Sequence, residues 1–105
     1  MHPLIEKLLK KGPVVTDGSW GTQLQNRGLK RGECPDSWNL NQPELVEEVA
    51  GQYVEAGSQI ILTNTFGGSR LSLGRFNMGE KAVAINSAGV EISKKAAGNR
   101  ALVFA

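Results

Sequence analysis

Apolar positions along the chain alternate between two textures, short β-branched runs and longer stretches with apolar residues three and four apart. The runs are Val14-Val15-Thr16, Ile60-Ile61-Leu62 and Ala101-Leu102-Val103-Phe104-Ala105. Each has the length and composition of a strand and lacks polar alternation, the mark of a parallel sheet covered on its faces by helices. Between them lie helical patterns. His2 to Lys11 opens on Pro3, places Leu4, Ile5, Leu8 and Leu9 on one face, and stops at Gly12-Pro13. Thr22 to Asn26 begins a second helix. Pro43 to Ala56 is the clearest: Glu44, Glu47 and Glu48 load its amino end, Leu45, Val49 and Tyr53 form its apolar face with Val46, Ala50 and Val54, and Gly57 ends it. Ser69 to Phe76 reads as a short helical segment with Leu71 and Leu73 inward. Gly79 to Ala97 reads as a long helix with Ala82, Ile85, Gly89, Ile92 and Ala96 on one stripe, its small residues fitting close approach to a sheet. Gly28 to Asn41 reads as a polar, irregular connection whose Trp38 plugs the body from outside.

The order is helix, strand, helix, strand, helix, strand. It predicts an α/β chain, residues 1–105 forming the first units of a (β/α)8 TIM barrel truncated in the third strand. A complete barrel takes about 250 residues. An open doubly wound sheet is the alternative, although no strand-order switch point is evident. Three parallel strands leave apolar edges, which the remaining barrel or self-association would cover.

Bulk properties narrow the partners. A net charge of +2 with no long basic run argues against nucleic acid. No apolar segment is long enough for a membrane span, and no secretory leader is evident. One cysteine, Cys34, cannot form an internal disulfide, which favours a reducing cytoplasm. Cys34 and the lone His2 cannot make a metal site by themselves, since zinc takes three or four protein ligands.

Two strand ends carry candidate chemistry. In Asp17-Gly18-Ser19-Trp20-Gly21-Thr22, backbone N–H groups of a glycine-rich turn can cradle a carboxylate or phosphate, and Asp17 suits an ammonium. Together they would take both halves of an amino-acid zwitterion. The competing reading is an Asp that starts a tight turn and caps the next helix. Thr63-Asn64-Thr65 follows the Ile60 run, where parallel folds place their sites, or else satisfies its own loop backbone. Neither loop has the lysine of a phosphate-binding loop or the dinucleotide glycine spacing, which argues against a nucleotide.

Asp17-Gly18-x-x-Gly21-Thr22, Cys34-Pro35-x-x-Trp38-Asn39, Pro43-x-x-Val46, Ala56-Gly57 and Thr63-Asn64-Thr65-Phe66-Gly67 resemble, in order, the homocysteine S-methyltransferase family, closest to its methionine-synthase type. The resemblance implies a barrel that binds homocysteine on its carboxyl-end face. It also implies a zinc ion held by three cysteine thiolates, which activates the substrate thiol towards a methyl donor linked to cobalamin or folate. By position, Asp17 would hold the substrate ammonium and the Gly18–Ser19 backbone its carboxylate, while Asn64 and Thr65 would line the pocket. The family's zinc cysteines lie in later strands that nothing here matches, so this chain is expected to hold no zinc and to be inactive alone. The alternatives are a non-catalytic amino-acid or anion-binding module and a structural fragment that swaps strands with another copy.

Overall fold

The computed structural model describes residues 14–105, together with Pro3, Glu6, Lys7 and Lys10. The helix expected over His2–Lys11 therefore lies largely outside the described residues. The first element is α1 (Trp20–Asn26), capped by Ser19, whose Oγ accepts the Thr22 N–H at 3.4 Å. A 3-10 turn over Pro35–Ser37 leads into α2 (Trp38–Asn41) and then α3 (Pro43–Glu55). Strand β1 (Ile60–Leu62) follows, then α4 (Arg70–Gly74), a 3-10 turn over Gly79–Lys81, α5 (Ala82–Ala97) and β2 (Leu102–Phe104).

β1 and β2 pair in parallel with Ile61 opposite Val103. The expected first strand is reduced to one parallel bridge, Thr16 to Ile60, in which the Gln59 N–H donates to the Val15 carbonyl at 2.7 Å and the Asp17 N–H to the Ile60 carbonyl at 3.1 Å. β1 thus lies between the Thr16 segment and β2. The link from α3 into β1 is short because the helix closes on Gly57, whose φ of +102° suits a residue without a Cβ. The Ser58 N–H reaches back to Tyr53 O and the Gly57 N–H to Val54 O, which satisfies the last carbonyls and turns the chain directly into the strand.

α3 and α5 pack together and against one face of the strands. Ile61 is fully buried there with Ala50, Val54 and Ala97. Alternation puts Ile60 and Leu62 on the opposite face, and Leu62 is 46% exposed. The buried stripe of α5 runs through Ala82, Ile85, Gly89, Ser93 and Ala97. The expected Ile92 and Ala96 are only partly buried, because the helix axis is turned so that Ser93 Oγ donates to the Leu62 carbonyl at 2.9 Å. Gly89 approaches the side chains of Asn39 on α2 and Thr65 in the loop after β1, and not the sheet.

Two further expectations are corrected. Leu73 is buried, but Leu71 is 85% exposed, because α4 is a little over one turn long and presents only one face inward. The segment around Trp38 is helical, and Trp38 is 4% exposed within a core of Leu24, Leu29, Val46 and Val49. Its indole donates to Glu33 at 3.1 Å, so the one polar atom of a buried ring is satisfied at the rim. The Lys30 N–H and this indole together hold the Glu33 carboxyl below its usual range.

Candidate functional site at the carboxyl ends of the strands

A cleft of about 540 Å³ opens where the chain leaves the Thr16 segment and β1. Its walls come from four places: Gly18, Trp20 and Leu24 around α1, Pro35 and Asp36 of the 3-10 turn, Leu62 to Asn64 with Phe66 and Gly67 after β1, and Ser72, Arg75 and Phe76 around α4. Most of this lining is apolar, with few polar groups converging on it, as is usual for small-molecule sites.

Of the five residues singled out from sequence, Gly18 and Asn64 line this cleft. Asp17, Ser19 and Thr65 stand behind it. Asp17 Oδ2 accepts the Trp20 indole N–H at 2.6 Å and the Leu62 N–H at 2.8 Å, so the carboxylate ties the first strand end to the second. Among the described residues, neither the Gly18 nor the Ser19 N–H meets a backbone acceptor. The turn is braced from below by Tyr53, whose hydroxyl donates to the Ser19 carbonyl at 3.1 Å. A Cβ on Gly18 would lie 3.1 Å from that hydroxyl, and the Tyr53 ring packs on Trp20 with centroids 6.5 Å apart.

Asn64 is buried and works on the framework as much as on the cleft. Its Nδ2 donates to the Pro35 carbonyl at 2.9 Å and to Asn39 Oδ1 at 3.0 Å. Asn39 in turn donates to the Asn64 carbonyl at 2.8 Å and to the Ile85 carbonyl at 3.0 Å. Three elements are thereby fixed around one pair of amides, each of which would be costly to bury unpaired. The Thr63 and Thr65 hydroxyls pair at 2.6 Å, and the Thr65 N–H closes onto the Thr63 carbonyl. That self-satisfaction is the loop alternative left open by the sequence.

Asp36 is the residue that motif reading passed over. It is 4% exposed, lines the cleft, and accepts the Gly67 N–H at 3.1 Å. Burial pushes its carboxyl above the ordinary value, a rise opposed by the Gly67 hydrogen bond. The only cue was an acid directly after Cys34-Pro35, a pattern equally at home in an exposed turn.

A zinc centre of three thiolates does not fit these residues. The chain has a single cysteine, and Cys34 is buried among Leu73, Ala82 and Ile85. Among the described residues, no three histidine, cysteine, aspartate or glutamate side chains gather as a metal would require.

Comparison with known proteins meets this geometry from the other side. The chain is 32% identical over 102 residues to a methionine synthase of Mycobacterium leprae, covering 90% of this chain and 8% of that protein. It is 31% identical over 98 residues to a methionine synthase of Mycobacterium tuberculosis, covering 86% of this chain and again 8% of the relative. The fold superposes on the homocysteine methyltransferase MmuM from Escherichia coli in its oxidized form with a TM-score of 0.76 at 25% identity, covering 91% of this chain and 34% of the other. The metallated form of MmuM gives the same TM-score at 26% identity, covering 88% and 33%. The chain thus spans about a twelfth of the methionine synthases and a third of MmuM. The homocysteine S-methyltransferase family model matches residues 14–104, and the chain belongs to that family.

Proposed function

We propose that this chain contributes part of the homocysteine site of a (β/α)8 methyltransferase that converts homocysteine to methionine, and that it does not catalyse the transfer alone. The observation that carries the reading is the cleft where the Asp17-Gly18 and Thr63-Asn64 strand ends meet, within a chain matching the family over residues 14–104. Parallel α/β folds bind their substrates at that end of the strands.

Within the site, the Gly18 and Ser19 N–H groups take the substrate carboxylate, and the charge of Asp17 attracts its ammonium while Oδ2 keeps Trp20 and Leu62 in place. Asn64 and Thr65 hold the opposite rim. The metallated form reported for MmuM supports a metal-dependent family chemistry. Thiol activation by zinc, and a methyl donor linked to cobalamin or folate, belong to groups that this chain's residues do not supply. A reducing cytoplasm suits the single cysteine, and no described helix is long and apolar enough to cross a membrane.

Calorimetric titration with homocysteine tests the reading. Asp17→Asn keeps an acceptor oxygen for Trp20 and Leu62 but removes the charge, so it should fold and bind homocysteine about tenfold more weakly. Unchanged affinity in that variant would remove Asp17 from the ammonium role. A second reading, an amino-acid binding module without catalysis, rests on the same cleft between the Gly18 and Asn64 strand ends. Methyl transfer to homocysteine by the purified chain would refute both that reading and the expectation of inactivity.

A further inference from the structure

We infer that Asp36 is a positioning residue whose charge sets the placement of the Phe66–Gly68 turn, and through it the shape of the cleft beside Asn64. Asp36 sits on the 3-10 turn, while Gly67 lies 31 positions later, beyond β1, so their hydrogen bond joins two walls of one cavity. The fit is close, since a Cβ on Gly67 would fall 3.0 Å from Asp36 Oδ1. The next residue is held from the far side, where Asn86 donates to the Gly68 carbonyl at 2.8 Å and leaves no room for a Cβ. Immediately before these two anchored glycines stands Phe66, fully exposed at the cleft mouth.

An N–H bonded to a carboxylate is held roughly twice as strongly as one bonded to a neutral group. Protonating Asp36 therefore weakens the grip on Gly67 and shifts the hold on the turn to Asn86 and to the Gly68 N–H bond onto the Thr65 carbonyl. Burial already biases Asp36 towards its protonated form, which brings this change nearer to neutral pH.

Little else near Asp36 titrates. Residues 63–68 contain no ionisable side chain, and α1 faces the cleft with Trp20, Gly21 and Leu24. α5 meets this region with Ala82, Ile85 and Gly89. On its own segment, Glu33 is committed to Lys30 and Trp38, and the Cys34 thiol is packed among apolar side chains. Asp17 is engaged by Trp20 and Leu62. Arg75 on the α4 side is the other charged residue lining the cleft.

The inference rests on the homocysteine reading only for what the cleft binds. Its test is an NMR pH titration of the isotopically labelled chain, following the Gly67 amide in the wild type and in Asp36→Asn. Wild-type Gly67 should show one transition with a midpoint above about 3.9, the ordinary aspartate value. In Asp36→Asn that transition should vanish, although the neutral amide still offers an acceptor oxygen. A pH-independent Gly67 in the wild type, or the same transition surviving in the variant, would overturn the assignment. Should Asp36→Asn fail to fold, the Asp36 carboxyl carbon and the Gly67 amide are followed together in the wild type. A shared midpoint supports the coupling and separate midpoints refute it. Adding homocysteine separates the two ideas: absent binding defeats the substrate reading, while the amide titration still judges Asp36.

Discussion

Gly89 shows how much a single hydrogen atom decides in this molecule. A Cβ there would lie 2.7 Å from Asn39 Nδ2 and 2.8 Å from Thr65 Cγ2, and Asn39 cannot retreat without releasing the Asn64 and Ile85 carbonyls. Gly89→Ala should therefore destabilise the fold by about 1–3 kcal/mol, despite alanine's better helix propensity, as read from urea unfolding. Among the predicted site residues, Gly18 and Asn64 line the cleft, although glycines and amides at strand ends serve turns and loop backbones equally well. Asp36 was not legible. In sequence it stands in a stretch that looks irregular, and only the fold shows that its carboxylate faces the Gly67 amide 31 residues later.

At the scale of elements, α3 was read correctly almost to the residue because Pro43, the glutamates, the apolar face and Gly57 all agree. α5 ends at Ala97 as expected, but it begins at Ala82 after the 3-10 turn over Gly79–Lys81, and its buried stripe is rotated. Small residues at 89, 93, 96 and 97 fit several neighbouring stripes, and the choice among them falls to a polar contact, Ser93 to the Leu62 carbonyl, which hydrophobic periodicity does not register. Ser93→Ala should lower stability by about 1 kcal/mol, with faster amide exchange at the end of β1. Changes at Ile92 should cost less than periodicity suggests, because its side chain is only partly buried. The 28–41 segment failed as a reading for another reason: two short helical turns give too little repeat for a 3.6-residue period to emerge.

For the whole molecule, Asp36 makes one contribution to the acid–base behaviour, opposite in sign to those of Glu33 and Glu55, whose carboxyls are lowered. The Asp36 carboxyl is raised in the folded state, so the stability it contributes is complete below the ordinary aspartate range and is lost as pH rises through the raised value. Asp36→Asn should therefore melt no lower than the wild type at neutral pH and should flatten the wild-type decline above about pH 4. A lower melting temperature in the variant at neutral pH would contradict that sign. The outer sides of β2 and of the Thr16 segment are sheet edges, and Val15 is exposed on the latter. Sedimentation velocity over a concentration series should show self-association, as expected for uncovered edges. A strictly monomeric profile would mean that these edges are blunted.

Asp17 holds the Leu62 N–H across 45 positions, and that span has a consequence for the order in which the protein is made. As the chain leaves the ribosome, the carboxylate emerges long before the amide it will hold. Until β1 appears, the first strand end can satisfy itself only locally, through the Trp20 indole three residues away. The opening segment of this chain is therefore one that waits. Its place at the cleft is fixed only when the second strand end arrives to meet it.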